Sequence, residues 1–140
     1  MLKKQKNDQR LATEMDSDYQ VGVFAYTGSG KVVLLTSRKG ESWILPKGHR
    51  AKKRSDRLQA KREAFEEAGI QGSLNCKHYD FNCFEKSKKL RIYTMRVKTI
   101  LNDFPEVRQR KRMVTTFDRA EKMVKGEYLK IIRELRKRIF

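Results

Sequence analysis

Three glutamates in one short segment constrain this chain more than any other feature. Glu63, Glu66 and Glu67 are spaced i, i+3 and i+4, so on a helix their carboxylates lie on one face. The apolar residues of the same segment fall nearly opposite: Leu58, Ala64, Phe65 and Ala68. Close carboxylates repel each other, and a divalent cation would reverse that interaction. Oxygen ligands suit Mg²⁺ or Mn²⁺, so the spacing alone leaves two alternatives: a solvated acidic face, which is the usual explanation of a Glu run, or a metal site.

The same segment carries signals for both ends of a helix. Ser55 is suited to cap the N-terminus, and Asp56 would follow in the first turn. Gly69 is suited to the left-handed residue that ends a helix. These signals predict a helix between Ser55 and Gly69.

The rest of the chain predicts a mixed α and β protein. Strands are expected at 19–26, 31–36, 43–45, 78–84 and 90–101, with a hairpin turn at 27–30 and a basic loop running to Arg54. A short helix is expected at 116–123. The C-terminal helix has an apolar stripe that predicts core packing: Tyr128, Ile131, Ile132, Leu135 and Ile139.

Length and charge limit the classes of protein that the chain can represent. Its 140 residues suit one domain, 1–140. No apolar run approaches the ~20 residues of a membrane span, and the charged first ten residues do not resemble a signal peptide, so we expect a cytoplasmic protein. Cys76 and Cys83 are expected to be reduced and part-buried. The net charge of +17 favours an acidic partner over a merely solubilising surface.

Residues 48–70 resemble the Nudix box, Gly-x5-Glu-x7-Arg-Glu-U-x-Glu-Glu-x-Gly-U, in which U is a bulky aliphatic residue. The matching positions are Gly48, Arg62, Glu63, Glu66, Glu67, Gly69 and Ile70, with the smaller Ala64 at the first U. Arg54 departs from the box, because it stands where the first Glu is expected. The resemblance implies a Nudix-type α/β/α sandwich with a mixed central sheet and, here, a C-terminal amphipathic helix.

Further segments resemble the diphosphoinositol polyphosphate phosphohydrolase branch of the Nudix family. They are 37–48, 72–74, 91–93 and 110–120. Three positions depart from that branch. Asp18 and Gln20 stand where it has basic residues, and Leu90 replaces its phosphate-contacting His. Inositol pyrophosphates, dinucleoside polyphosphates, nucleoside triphosphates and the 5′ end of RNA therefore all stay open as substrates.

The resemblance implies a metal-dependent hydrolase that cleaves phosphoanhydride bonds by water attack on phosphorus. Mg²⁺ or Mn²⁺ would be held by Glu63, Glu66, Glu67 and the backbone carbonyl of Lys47. Glu63 would position or deprotonate the water, with Glu67 the next candidate, and Arg62 would orient the glutamates.

Basic residues at the mouth of the site are expected to bind a polyphosphorylated small molecule. The substrate-binding candidates are Arg38, Gly48, Arg54, Lys88, Arg91 and Arg110. Arg54 would either contact substrate phosphate or mark a lost metal ligand. The alternative function is a non-catalytic polyanion- or RNA-binding Nudix module. We expect no membrane partner and a monomer or homodimer.

Overall fold

A single apolar strand, β1 (Gln20–Tyr26), organises the sheet. All of its residues except Tyr26 are buried, as is typical of a strand covered on both faces. The computed structural model describes residues 19–82 and 84–140, so Asp18 and Cys83 lie outside the described residues. The other elements are β2 (Lys31–Thr36), β3 (Trp43–Ile44), β4 (Lys47–His49), α1 (Asp56–Ala68), β5 (Ile70–Asn82), β6 (Lys89–Ile100), β7 (Arg112–Thr116), α2 (Phe117–Met123) and α3 (Gly126–Ile139).

The strands form one mixed sheet. Its continuous order is β3-β2-β1-β6-β5, with β4 paired to β1 and β7 paired to β2. Strand β1 runs parallel to β6 along its whole length, from Gln20 opposite Leu90 to Tyr26 opposite Arg96. Its pairings with β2 and β4 are antiparallel. The predicted mixed sheet is therefore confirmed.

Helices cover both faces of this sheet. Helix α1 packs on the face that carries Val21 and Val23, through fully buried side chains such as Ala60 and Ala64. Helices α2 and α3 pack on the opposite face, where the largest buried side chains include Phe24, Leu34, Leu45, Ile92, Ile131 and Leu135. The predicted α/β/α sandwich is confirmed, and so is the packing role of the C-terminal apolar stripe.

Both ends of α1 follow the local sequence. The Ser55 hydroxyl accepts a hydrogen bond from the Leu58 N–H at 3.2 Å, which caps the N-terminus. Gly69 adopts φ 63° and its N–H donates to the Phe65 carbonyl, which ends the helix. The guanidinium of Arg112 in β7 donates to the carbonyl of Ala68 at 2.7 Å, so a distant strand completes this end.

The predicted division of α1 into an apolar and an acidic face is wrong for two residues. Leu58 is 54% exposed, whereas Glu67 is only 4% exposed. Glu67 follows Ala60 and Ala64 at spacings of seven and three, so it lies on the side of the helix that packs against the sheet. The helix is rotated so that one carboxylate points into the interior.

Several predicted boundaries also need correction. Strand β5 begins at Ile70 rather than at residue 78, because its irregular ladder with β6 continues through register shifts near Gly72 and beyond Leu74. Residues 47–49 form β4 instead of belonging to the basic loop, and β7 was not expected.

Two further expectations concern single features of the chain. Cys76 is exposed rather than part-buried. Within the described residues, no helix is long and apolar enough to cross a membrane.

Candidate functional site

A cavity of about 720 Å³, here called the main cavity, lies where β4 and α1 meet the β5–β6 turn and the loop before β7. Its lining carries five carboxylates: Glu63, Glu66, Glu67, Glu85 and Glu106. It also carries the cationic side chains of Arg38, Lys47 and Arg110. The cavity can therefore offer oxygen ligands to a cation and positive charge to an anionic substrate.

Glu67 and Glu63 form a carboxyl pair at the base of this cavity. Burial, followed by a hydrogen bond to Glu63 and the negative charge of Glu63, holds the pKa of Glu67 far above the ordinary carboxyl value. The Lys47 N–H donates to Glu67 Oε1 at 3.2 Å. A proton on Glu67 relieves the repulsion between the two carboxyl groups, and a divalent cation in its place would also relieve it.

Gly48 in β4 makes room for this pair. A Cβ atom added at Gly48 would collide with the carboxylate of Glu63. Since only glycine lacks that atom, the backbone of β4 can approach α1 closely at this point. The structure thus brings Gly48, Glu63 and Glu67 together.

Gln59, a residue that no sequence pattern identifies, holds Glu63. Gln59 is 6% exposed, and its amide nitrogen donates to Glu63 Oε1 in a short hydrogen bond. Its amide oxygen accepts a hydrogen bond from Arg54 Nη1 at 3.0 Å. Among the described hydrogen bonds, Arg54 is therefore linked to the carboxyl pair through Gln59. No periodicity identifies such a residue, because its partners are set by tertiary packing.

Glu66 is arranged differently from the other two glutamates of the box. Arg62 Nε donates to Glu66 Oε1 at 2.9 Å, one helical turn away. Among residues 19–82 and 84–140, no three Asp, Glu, His or Cys side chains are already gathered as a metal-binding group. A metal bound by all three glutamates would therefore require the Glu66 carboxylate to turn from Arg62 toward the Glu63–Glu67 pair.

The Lys47 side chain brings a cation into the main cavity. Its ammonium group donates to Gln20 Oε1 at 2.7 Å and lies 3.0 Å from Glu85 Oε1. Glu85 has φ 51°, an uncommon conformation for a non-glycine residue, and it also accepts a hydrogen bond from the Tyr128 hydroxyl. The family resemblance implies a role only for the carbonyl of Lys47, and Glu85 stands in a turn that carries no local signal of a functional role.

Arg110 is deeply placed in the main cavity. Its guanidinium donates to Glu106 Oε1 at 3.0 Å and to the Thr36 carbonyl at 3.3 Å, and it lies 3.9 Å from Glu67 Oε2. These contacts hold Arg110 beside Glu67, so it supports the carboxyl pair as well as facing the cavity.

The six predicted substrate-binding residues do not form one group. Arg38, Gly48 and Arg110 line the main cavity. Arg54 and Arg91 line a second cavity of about 470 Å³, here called the basic cavity. Lys88 is exposed in the β5–β6 turn, outside the lining of either cavity.

Asp56 forms the centre of the basic cavity. It accepts hydrogen bonds from the Tyr19 hydroxyl at 2.6 Å and from Arg91 Nη1 at 3.1 Å. Burial and the hydrogen bond to Asp56 raise the pKa of Tyr19 to about 12, so its hydroxyl stays a donor at neutral pH. The full lining is Tyr19, Arg50, Arg54, Ser55, Asp56, Arg57, Lys89, Arg91 and Tyr93.

Comparison with known proteins identifies the family. The family model of the NUDIX domain matches residues 17–134. The chain belongs to the Nudix family. An Ap4A hydrolase from C. elegans, solved as a binary complex, is similar in structure, with a TM-score of 0.63 and 20% identity over 84% of this chain and 96% of that chain. A NUDIX hydrolase from Nitrosomonas europaea is similar with a TM-score of 0.63 and 16% identity, over 84% of this chain and 86% of that chain.

A search of curated proteins finds no match to the chain. The two structural likenesses, at these identities, establish the shared fold. Family membership together with this fold supports the prediction of a Nudix-type pyrophosphohydrolase. Nudix hydrolases generally depend on divalent metals.

Proposed function

We propose that this Nudix chain hydrolyses a phosphoanhydride bond of a polyphosphorylated small molecule, with Mg²⁺ or Mn²⁺ as its cofactor. The observation that carries the proposal is the Glu63–Glu67 carboxyl pair, of which Glu67 is buried, in a cavity that also presents Arg38 and Lys47. A buried carboxyl pair destabilises a protein unless a proton or cation compensates its charge. Such an arrangement is therefore more consistent with a metal site than with a solvated helix face.

The donor set fits a hard divalent cation. Glu63, Glu66 and Glu67 offer carboxylate oxygens, and the Lys47 carbonyl is the fourth proposed ligand. When bound, the metal would neutralise phosphate oxygens and lower the pKa of a bound water. Gly48 leaves room for the Glu63 carboxylate itself, because a Cβ atom at this position would collide with it.

The protein side chains have separate roles in the proposed reaction. Glu63, held by Gln59, positions or deprotonates the attacking water, and Glu67 is the alternative base. Arg110 positions Glu67, while Arg62 holds Glu66. Arg38 and the ammonium group of Lys47 offset the negative charge of the phosphate chain.

Four substrate classes deserve direct comparison: inositol pyrophosphates, dinucleoside polyphosphates, nucleoside triphosphates and RNA 5′ ends. The branch resemblance supports the first class, and likeness to the C. elegans Ap4A hydrolase supports the second. Gln20 stands where the inositol branch has a basic residue. The ammonium nitrogen of Lys47 lies 2.7 Å from Gln20 Oε1 and supplies a cation at that place.

We further propose that residues 1–140 form one domain, which acts in the cytoplasm as a monomer or homodimer.

The decisive experiment is a phosphate-release screen of these four classes with Mg²⁺ and with Mn²⁺. Glu63→Gln keeps the side-chain shape and removes the basic oxygen, so turnover should fall by roughly 10²–10⁴. Glu134→Gln, a change in a glutamate paired with Arg138 on α3, is the matched control and should leave turnover unchanged. Near-normal turnover of Glu63→Gln would assign the base to another residue.

A non-catalytic polyanion-binding module predicts a different outcome. It would release no phosphate from any substrate, yet would bind RNA with an affinity that falls steeply with salt concentration. Arg54 at the place of a box glutamate and the charge of +17 are the observations that favour it. Metal binding separates the two functions further. For the hydrolase, Mg²⁺ should raise the melting temperature of the wild-type protein but not that of the Glu66→Gln and Glu67→Gln double variant.

A further inference from the structure

The basic cavity is lined by side chains that have no role in the proposed hydrolysis. We propose that it is a binding site for a free phosphate ion, separate from the substrate site, and that an ion bound there strengthens metal binding at Glu63. Phosphate binding depends only on the basic cavity, whereas the effect on the metal rests on the proposed function, in which Glu63 is a metal ligand.

Three cationic side chains of the basic cavity converge on one aromatic ring. The Lys89 ammonium group lies 4.6 Å from the centroid of the Tyr19 ring. The guanidinium groups of Arg50 and Arg91 lie 5.2 and 5.4 Å from the same centroid. The ring attracts each cation, but cations gathered this closely also repel one another. An anion placed among them would remove that repulsion.

The carboxylates of this region do not balance its cations. Five cationic side chains line the basic cavity: Arg50, Arg54, Arg57, Lys89 and Arg91. The described ion pairs place two carboxylates against them, Asp56 in the lining and the neighbouring Asp80. Two carboxylates cannot neutralise five cations, so the basic cavity keeps a positive excess.

Arg50 gives the most direct sign of a missing ligand. Within the described part of the chain, its Nε atom is buried and has no hydrogen-bond partner. Its ion-pair partner, Asp56 Oδ1, lies 3.7 Å away, which is too long for a hydrogen bond. A buried N–H donor without a partner is costly, and an oxyanion in the basic cavity would satisfy it.

Two other arginines of the lining are held in place by neutral oxygens. Arg57 donates to the carbonyls of Leu74 and Asn75, and Arg54 donates to the side-chain oxygen of Gln59. These hydrogen bonds position each guanidinium group without cancelling its charge. A positioned guanidinium group loses little further side-chain freedom when it binds an anion, which favours binding.

The arrangement suits a compact ion better than an extended polyanion. Its cations surround a single ring in a cavity of about 470 Å³. A polynucleotide carries its charges along a backbone, and proteins bind it in a basic groove that follows the strand. A phosphate ion carries its oxygens around one centre, so it accepts charge-assisted hydrogen bonds from several converging donors.

Arg54 connects the basic cavity with the carboxyl pair. Its Nη1 atom donates to Gln59 Oε1 at 3.0 Å, and the amide nitrogen of Gln59 donates to Glu63. The guanidinium group therefore lies one amide group away from a proposed metal ligand, where its charge opposes a cation. Phosphate beside Arg54 would offset this charge, so Mg²⁺ should bind more tightly. Because such linkage is reciprocal, Mg²⁺ should tighten phosphate binding by the same factor.

Phosphate binding without metal tests the basic cavity alone. The full chain is titrated with inorganic phosphate in EDTA at constant ionic strength, and calorimetry should detect binding. The Arg50→Gln and Lys89→Gln double variant, here called the basic-cavity variant, should weaken it by at least about tenfold, because two charged donors are lost. A melting curve checks its folding. Lys89→Gln alone, which keeps the pairing of Arg91 with Asp80, should weaken binding by about threefold.

Two further variants locate the phosphate. Arg96→Gln with Lys98→Gln removes the same residue types from exposed positions of β6 outside both cavity linings. It should weaken binding by less than about threefold, through loss of net charge. Arg38→Gln in the main cavity should have a similarly small effect, because the glutamates there repel phosphate without metal. Weakening by either variant that equals that of the basic-cavity variant would overturn the proposal, as would undetectable phosphate binding.

A short single-stranded RNA tests the alternative occupant. If the basic cavity holds a free ion, the basic-cavity variant should weaken RNA binding no more than the Arg96→Gln and Lys98→Gln control does. A selective loss of RNA binding in the basic-cavity variant, with phosphate binding retained, would assign the cavity to RNA and contradict the proposal.

Calorimetry with Mg²⁺, in the presence and absence of phosphate, tests the link to Glu63. At constant ionic strength, phosphate should raise the Mg²⁺ affinity of the wild type by at least about threefold, with no gain in the basic-cavity variant. An unchanged affinity in the wild type would refute the link. A gain that persists in the basic-cavity variant would also refute it, because phosphate would then act in the main cavity. If the wild type binds no Mg²⁺, the proposed function fails, whereas the titration in EDTA still decides whether the basic cavity binds phosphate.

Discussion

Metal binding should release a proton from Glu67. Burial and the neighbouring Glu63 raise the pKa of Glu67, so this carboxyl group holds a proton well above the pH at which an ordinary glutamate ionises. A divalent cation bound beside Glu63 needs the ionised form of Glu67. We therefore expect about one proton to leave for each metal ion bound near neutral pH.

The same linkage fixes the direction of two pH effects. Because the pKa of Glu67 is raised in the folded state, its contribution to the free energy of unfolding of the metal-free protein is fully present below the ordinary carboxyl pKa and is lost as the pH rises toward the folded pKa. Metal affinity should change in the opposite direction. Where Glu67 is still protonated in the free protein, the affinity for Mg²⁺ should increase by about tenfold per pH unit.

Titration calorimetry at pH 7 in two buffers with different ionisation enthalpies measures the proton count directly. Glu67→Gln should lower the count to near zero and weaken binding. Glu66→Gln is the control, because it leaves the Glu63–Glu67 hydrogen bond in place and should still release a proton. A count near zero in the wild-type protein, with Mg²⁺ clearly bound, would refute the assigned metal position.

Three other substitutions test separate parts of the structure. Gln59→Leu should lower kcat by roughly 10–100-fold in steady-state assays, because Glu63 loses the donor that orients it; a change under twofold would contradict this. Arg54→Glu should give no gain in turnover at saturating Mg²⁺, because Arg54 lines the basic cavity and not the main cavity; faster turnover at unchanged KM would mark Arg54 as a displaced metal ligand. Ile132→Ala, at a fully buried position of the α3 stripe, should lower the free energy of unfolding in urea by about 2–5 kcal/mol, and exposed Lys130→Ala by less than about 0.5 kcal/mol.

Local signals in the sequence predicted local structure well. Ser55 and Gly69 define the ends of α1 because each acts through hydrogen bonds with residues only three or four positions away. The stripe of α3 predicted its buried face because a helix repeats regularly. The glutamate spacing likewise placed Glu63 and Glu67 close together, since the helix itself determines that distance.

Features that depend on distant residues could not be predicted in this way. Glu85 and Glu106 reach the main cavity from a turn and a loop that carry no periodic pattern. The rotation of α1, which buries Glu67 and exposes Leu58, follows from the Lys47 N–H contact and from packing against the sheet. The direction of Arg54 depends on the buried amide of Gln59, which the motif leaves unspecified.

The position of β1 in the sheet has a consequence for synthesis on the ribosome. This strand is nearly the first described segment to be made, but its parallel partner β6 extends to Ile100. Until about two thirds of the chain has left the ribosome, one long edge of β1 and its apolar residues lack their partner. Slow translation between β4 and β6 would prolong that exposed state, so synonymous slow codons there should increase aggregation, whereas slow codons after β6 should not.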